Sequence, residues 1–248
     1  MGDNMDKPLI GIIAPRHVGK KDRVFQNMVR FSAAFPHIIY LAGGIPVGVF
    51  FPNNEFNKDI MNACDGFVFQ GGSIIESSQL LAVKYALESR KPLLGVCLGM
   101  QTMATFDWLI QNGYYTDEQI INYYKQAMLE RVLEKRKHHN NLDPFYLSKI
   151  NKSKHEVNID ANSRLYNIYN KKLITVPSVH NYAIKEEALA NSKMFHIIGR
   201  SNDGSIEAIE ANRSDLFAIG VQFHPELEDA NLLLFEETVS EARLVRKR

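Results

Sequence analysis

The sequence changes from strand to helix within Leu94-Gly-Val-Cys-Leu-Gly-Met-Gln101, where a short apolar run ends and a helical pattern begins at once. Cys97 stands at the turn, and Gly95 and Gly99 lie two residues to either side of it. Small residues at these positions let the strand and the helix pack closely around a nucleophile that the turn presents, as in a nucleophile elbow. The amide of Leu98 can then stabilise an oxyanion. The alternative for any cysteine is a buried structural role, which fits Cys64 better.

Apolar runs alternate with helical stretches through the first third of the chain. Strands that are apolar throughout and separated by helices indicate β-α-β units in a mostly parallel sheet with both faces covered. The predicted fold is therefore α/β, with a mostly parallel central sheet and helices on both faces. The predicted strands here are Leu9–Ile13, Ile45–Phe51, Gly66–Phe69 and Pro92–Val96, and the predicted helices run from about Asp22 to Phe35 and from Ser77 to Ser89.

The middle of the chain interrupts this alternation. Thr116 and Gln119 have the spacing of a capping box, in which two side chains satisfy free amides at a helix start. The apolar spacing predicts a long helix with Ile121, Tyr124, Met128 and Val132 on one face, ending in the basic run 135–139. Shorter strands are expected at 155–159, 173–176, 195–198, 205–209 and 218–221, with a terminal helix from about Asp229 to Val245. We predict one domain over 1–248 with a helical insertion at about 112–150.

Composition excludes several classes of function. Lys and Arg number 29 against 28 Asp and Glu, so the chain carries no overall basic surface for nucleic acid. Two cysteines are too few for a disulfide framework or a zinc knuckle, and no metal or cofactor is expected. The acidic start lacks the features of a signal peptide, and no apolar run reaches about 18 residues, the length that suggests a membrane span. The expected setting is cytoplasmic, without membrane contact.

A thiol nucleophile needs a general base and a group that orients this base. Val221-Gln-Phe-His-Pro-Glu226 supplies both at the end of a predicted strand. His224 and Glu226 are two residues apart, so strand geometry directs both side chains to one side. The carboxylate can hold the imidazole tautomer and stabilise its protonated form. We therefore predict Cys97, His224 and Glu226 as a catalytic triad.

Taken together, these segments resemble the class I glutamine amidotransferase-like superfamily, and within it the γ-glutamyl-γ-aminobutyrate hydrolase family. The resemblance extends over most of the chain, and the elbow and the His-Pro-Glu segment are its most specific parts. It implies a flavodoxin-like fold. The matching segments are Lys7–Gly11, Gly43–Val47, Asp65–Gly72, Gly95–Gln101, His155–Ile159, Ser178–His180, Ser201–Ala208 and Val221–Glu226.

The resemblance implies thiol attack on the γ-glutamyl amide of a small-molecule substrate, a thioester on Cys97 and hydrolysis. His224 would take the thiol proton and return it to the leaving amine, and Glu226 would orient His224. The amides of Gly72 and Leu98 would form the oxyanion hole. The remaining residues expected to line the substrate site are Gly71, Gln101, Ser178 and His180.

Three departures from the hydrolase pattern leave the function open. Leu98 stands where the hydrolases often have Arg and amidotransferase subunits often have Leu. The chain after Gly72 is short, and the insertion replaces a usual family segment. We therefore consider a γ-glutamyl amine hydrolase first, and second a glutaminase subunit that passes ammonia to a partner synthetase. A non-enzymatic scaffold is the third alternative, and the insertion is a hypothetical lid, homodimer contact or partner-docking element.

Overall fold

The computed structural model describes residues 7–17, 28–127, 132–135 and 153–247. Strands within these ranges are β1 (Leu9–Ile13), β2 (Arg16–His17), β3 (Met28–Val29), β4 (Ile45–Val49), β5 (Gly66–Phe69), β6 (Leu93–Val96), β7 (Leu133–Lys135), β8 (Lys154–Ile159), β9 (Leu173–Pro177), β10 (Tyr182–Ile184), β11 (Phe195–Ser201), β12 (Ile206–Ala211) and β13 (Ala218–Val221). The helices are α1 (Ala34–Leu41), α2 (Lys58–Asn62), α3 (Ser77–Glu88), α4 (Leu98–Gln111), α5 (Asp117–Gln126), α6 (Arg164–Tyr169), α7 (Glu186–Leu189) and α8 (Leu232–Arg246).

Nine strands of the described residues form the central sheet, in the order β4-β1-β5-β6-β13-β12-β11-β8-β9. The pairs from β4 to β13 are parallel, and the pairs from β13 to β9 are antiparallel. Of these nine strands, only β12 and β8 therefore run against the common direction. This arrangement confirms the predicted α/β fold with a mostly parallel sheet.

Helices cover both faces of the sheet. Leu93 joins the core cluster under α3, α4, α5 and α7, whereas its neighbour Leu94 joins the cluster under α1, α6 and α8. Successive residues of one strand thus enter opposite cores, which explains why β1, β5, β6 and β13 are apolar throughout. Within the described ranges, no helix has the length and apolar character needed to cross a bilayer.

The helix expected from Asp22 to Phe35 is wrong for residues 28–33, which are not helical. Residues 18–27 lie outside the described part, and Met28–Val29 pairs with Arg16–His17 as a short antiparallel ladder. The helix of this region starts later, at Ala34. Pro36 explains the shift, because a proline ring is accommodated in the first turn of a helix but breaks its interior.

The helix of the insertion starts as predicted but is shorter. Both hydrogen bonds of the capping box are present at Thr116 and Gln119, and α5 ends at Gln126. Its buried face carries Ile120 and Tyr124, whereas Ile121 is exposed. Residues 132–135 then pass into β7, which pairs with β10. The expected Met128 and most of the basic run lie outside the described residues.

The terminal helix also begins later than expected. Residues Asp229–Asn231 form a 3-10 turn, and α8 follows from Leu232.

Candidate active site

Cys97 occupies the sharp turn between β6 and α4. Its backbone has φ 51° and ψ −104°, a conformation that is strained for any residue other than glycine. The flanking glycines are needed for close packing, because a Cβ on Gly99 would lie 2.3 Å from the carbonyl oxygen of Phe69. A Cβ on Gly95 would lie 2.6 Å from Sδ of Met103. The strand and the helix therefore approach one another as in a nucleophile elbow.

His224 and Glu226 follow the end of β13, next to β6 in the sheet. The amide of His224 donates to the carbonyl of Pro177, which anchors the turn. Nδ1 of His224 lies 2.7 Å from Oε1 of Glu226, and both side chains are largely buried. Burial opposes a charge on the imidazole, but the Glu226 carboxylate and the Cys97 sulfur outweigh it. They hold the pKa of His224 well above its ordinary value.

Gly71 lies between Cys97 and His224. A Cβ on Gly71 would lie 2.9 Å from Cε1 of His224 and 3.4 Å from Cβ of Cys97. The two side chains are thus neighbours across a glycine that has no room for a larger residue. Because Nδ1 of His224 faces Glu226, Nε2 is the ring nitrogen available to the sulfur.

A cavity of about 230 Å³ opens beside Cys97 at the carboxyl ends of the parallel strands. Its lining includes four of the residues that the sequence analysis assigns to substrate binding, Gly72, Leu98, Gln101 and His180. Gly72 and Leu98 are adjacent, since a Cβ on Gly72 would lie 3.1 Å from Cδ2 of Leu98. The amide of Leu98 is the first of α4 and so has no acceptor within the helix. It can therefore stabilise an oxyanion beside Cys97.

Gln101 lies one helical turn after Cys97 and is almost fully buried. Its Nε2 donates to the carbonyl of Tyr182 at 3.0 Å and to Oε1 of Gln222 at 3.0 Å. The side chain is therefore fixed between the loop that ends in β10 and the turn that carries His224.

Ser178 lies outside the lining of the cavity, although His180 belongs to it. The Ser178 amide donates to the carbonyl of Ser153, and its own carbonyl accepts from the Ser153 hydroxyl. The expectation that both residues face one cleft assumed that the strand continues to residue 180. It ends at Pro177, so the alternation of side chains does not extend to His180.

Glu207 is a fully buried carboxylate that the sequence analysis did not assign. Its Oε1 lies 3.4 Å from Nε2 of His180, and its Oε2 lies 3.3 Å from Nε2 of His155. Burial by itself would raise the pKa of Glu207, but its contacts with the two histidines hold this pKa below the ordinary value. Within the described part of the chain, no group of three or more His, Cys, Asp or Glu side chains is arranged to hold a metal ion.

The cavity also contains residues that sequence reasoning missed. Leu133 comes from the insertion, and Val179, Asn181 and Tyr182 come from the loop before β10. The segment 178–180 matched the family pattern, which pointed to this loop. No signal in the sequence indicated Leu133, because its contact depends on the pairing of β7 with β10.

Comparisons with known proteins identify the family of the chain and several similar proteins. A family model described as Peptidase C26 matches residues 76–226, a span that contains Cys97, His224 and Glu226. A glutamine amidotransferase-like protein of Rickettsia prowazekii is 26% identical, over 97% of this chain and 99% of that protein. The CTP synthase of Novosphingobium aromaticivorans is 29% identical, over 60% of this chain and 29% of that protein. The chain spans about a third of the length of the CTP synthases it matches.

Solved structures share the fold. The glutaminase domain of Trypanosoma brucei CTPS, with bound acivicin, superposes with a TM-score of 0.66 at 16% identity, covering 94% of each chain. A protein of Thermoplasma acidophilum that is assigned to GMP synthase superposes with a TM-score of 0.60 at 18% identity. The match covers 97% of this chain and 98% of that protein. At these identities the likeness establishes a class I glutamine amidotransferase fold.

Proposed function

The chain belongs to the peptidase C26 family, and on this premise we propose that it hydrolyses the γ-glutamyl amide bond of γ-glutamyl amines through a thioester on Cys97. The observation that carries the proposal is the position of Cys97, at a strained turn beside the His224–Glu226 pair and open to a cavity. The resemblance to the γ-glutamyl-γ-aminobutyrate hydrolases supports this class of substrate.

Acylation begins when His224 takes the proton of the Cys97 thiol and the sulfur attacks the γ-carbonyl carbon. The carbonyl oxygen becomes an oxyanion, which the amides of Leu98 and Gly72 stabilise. His224 then carries a proton, and its raised pKa favours this imidazolium. When the intermediate collapses, the carbon–nitrogen bond breaks and His224 donates its proton to the leaving amine. A γ-glutamyl thioester on Cys97 remains.

Deacylation uses the same groups. Neutral His224 takes a proton from a water molecule, and the resulting hydroxide attacks the thioester carbonyl. The same amides stabilise the second oxyanion, and the carbon–sulfur bond breaks as His224 returns its proton to the sulfur. Glutamate leaves, and the thiol form of Cys97 is restored. The imidazole thus acts as base and acid in each half of the reaction.

The test is an assay of the purified chain against free glutamine and a panel of γ-glutamyl amines, with Cys97→Ala as the control. Turnover of γ-glutamyl amines that the control lacks is the expected result. Absence of turnover, together with absence of Cys97 labelling by a glutamine-mimicking chloroketone, contradicts the proposal and favours a scaffold.

A second candidate is a glutaminase that supplies ammonia to a separate synthetase. Similarity to CTP synthases over 60% of this chain and 29% of their length favours it, because the match covers one part of those larger proteins. Leu98, which the sequence analysis associates with amidotransferase subunits, also fits. Weak glutamine turnover that rises when a co-purifying protein is added supports this candidate over the hydrolase.

A further inference from the structure

Glu207 belongs to a closed series of polar contacts behind the cavity wall. Its carboxylate lies 3.4 Å from Nε2 of His180, and Nδ1 of the same ring lies 2.9 Å from the carbonyl oxygen of Tyr182. That carbonyl also accepts from Gln101, which donates in addition to Gln222. The amide of Gln222 donates to the carbonyl of Glu207, which closes the series.

His180 joins Glu207 to the loop before β10. The Tyr182 carbonyl can only accept a hydrogen bond, so Nδ1 of His180 is the donor in this contact. Nε2 of the same ring faces the Glu207 carboxylate. His180 is 3% exposed and Glu207 is 0% exposed, so both contacts lie inside the protein, away from solvent.

His155 contacts the second carboxylate oxygen of Glu207. Its Nε2 lies 3.3 Å from Oε2, and its ring meets that of His180 edge to face at 6.4 Å between centroids. Glu207 is therefore held from two sides, by β8 and by the loop after β9. A carboxylate so fixed on β12 can define the position of this loop.

We propose that Glu207 is a positioning residue, which through His180 holds the Tyr182 carbonyl and thereby Gln101 in the orientation that receives the acyl part of the substrate. The role in substrate binding rests on the function proposed above, whereas the effect on His180 and its loop does not. Glu207 itself is not in the lining of the cavity. It therefore acts on the affinity for substrate more than on the chemical step.

The chain offers a matched control on the same strand. Glu210 also pairs with a histidine, since its Oε1 lies 3.3 Å from Nε2 of His196, but neither residue lines the cavity. We compare Glu207→Gln with Glu210→Gln, and add Glu207→Asp, which keeps the charge. The first readout is hydrogen exchange of residues 179–184, followed by mass spectrometry. The second is the pair of values kcat and KM for hydrolysis of a γ-glutamyl amine.

The expected result is faster exchange of residues 179–184 in Glu207→Gln than in the wild type and in Glu210→Gln. On a substrate that the wild type turns over, Glu207→Gln raises KM by about tenfold, which corresponds to about 1.4 kcal/mol of lost substrate binding. Its kcat changes less than KM does. Glu207→Asp restores part of both the slow exchange and the KM, which a merely disrupted strand would not do.

Equal exchange of residues 179–184 in the Glu207→Gln and Glu210→Gln variants overturns the inference. If the wild type hydrolyses no γ-glutamyl amide, the proposed function fails, and hydrogen exchange still decides whether Glu207 positions the loop. If hydrolysis is found and Glu207→Gln lowers kcat with KM unchanged, the proposed function stands and the positioning role is wrong.

Discussion

Nδ1 of His224 lies 2.7 Å from Oε1 of Glu226, which leaves Nε2 as the ring nitrogen available to Cys97. Glu226 is buried at the 3-10 turn that begins with Pro225, so the carboxylate has little freedom to move away. The pair thereby fixes both the tautomer and the orientation of the imidazole.

Replacement of Glu226 by Gln tests this relationship. We expect kcat to fall by about a hundredfold or more, as in other triads that lose the orienting carboxylate. Glu226 contributes to the raised pKa of His224, so its removal lowers this pKa. The imidazolium that protonates the leaving amine is then lost at a lower pH. The alkaline limb of the kcat–pH profile therefore shifts to lower pH. An unchanged alkaline limb would show that Glu226 does not control His224.

A substitution at Gly99 tests the close packing of the elbow. Gly99→Ala places a Cβ 2.3 Å from a backbone oxygen of Phe69, which cannot move without disturbing β5. We expect the free energy of unfolding to fall by about 3 kcal/mol, the upper end of the usual cost of overpacking, because the close contact is with backbone. Gly204→Ala is the control, since nothing lies within 4 Å of its Cβ and only the positive φ of 83° opposes it. We expect Gly204→Ala to lower the free energy of unfolding by about 1 kcal/mol. Equal losses for Gly99→Ala and Gly204→Ala in urea unfolding would contradict the close packing at Gly99.

The buried carboxyl group of Asp107 is expected to make the free energy of unfolding depend on pH. Burial raises its pKa from 3.8 to about 6, although Ser192 and Gln111 donate hydrogen bonds that lower it. The folded protein therefore holds this proton more tightly than the unfolded chain does. The free energy of unfolding falls by up to about 3 kcal/mol as pH rises from about 4 to about 6, and it stays level at higher pH.

The variant Asp107→Asn removes this ionisation. It should lose less stability than the wild type does between about pH 4 and about pH 7. Asp117→Asn, at an exposed helix start, is the control and should follow the wild type. A parallel pH profile for Asp107→Asn and the wild type in urea unfolding would show that Asp107 is not the group responsible.

Leu133 tests the part that the insertion plays in the site. Its side chain lines the cavity, and Leu133→Ala removes an apolar contact of about 1–2 kcal/mol. We expect KM to rise by about tenfold with kcat little changed. Ile121→Ala, on the exposed face of α5, should leave KM unchanged. An unaltered KM for Leu133→Ala would show that this part of the insertion does not contribute to substrate binding.

Local patterns predicted much of the fold. The parallel strands β1, β5, β6 and β13 are apolar because both of their faces are buried, and β1, β5 and β13 have the predicted bounds. The capping box of α5 depends on two side chains one turn apart, and it was predicted. The start of α1 was not, since the apolar spacing before Phe35 resembles a helix although the structure has a short ladder at Met28–Val29.

The site was predictable only where chemistry and turn geometry lie in one short segment. Cys97 with its glycines, and His224 with Glu226, are of this kind. Glu207 was not assigned because its partners come from β8 and from the loop after β9, which only tertiary structure brings together. Ser178 was assigned to the cavity by an alternation that ends with the strand at Pro177.

A thioester on Cys97 is the intermediate of the proposed reaction, and rapid acid quench followed by peptide mass spectrometry detects it. During turnover of a γ-glutamyl amine, we expect one γ-glutamyl group on the peptide that carries Cys97, in the wild type and in Cys64→Ser. Cys64 is a buried free cysteine and so serves as the matched control. Hydrolysis that persists in Cys97→Ala, or a γ-glutamyl group found on Cys64 instead, would contradict a mechanism through Cys97.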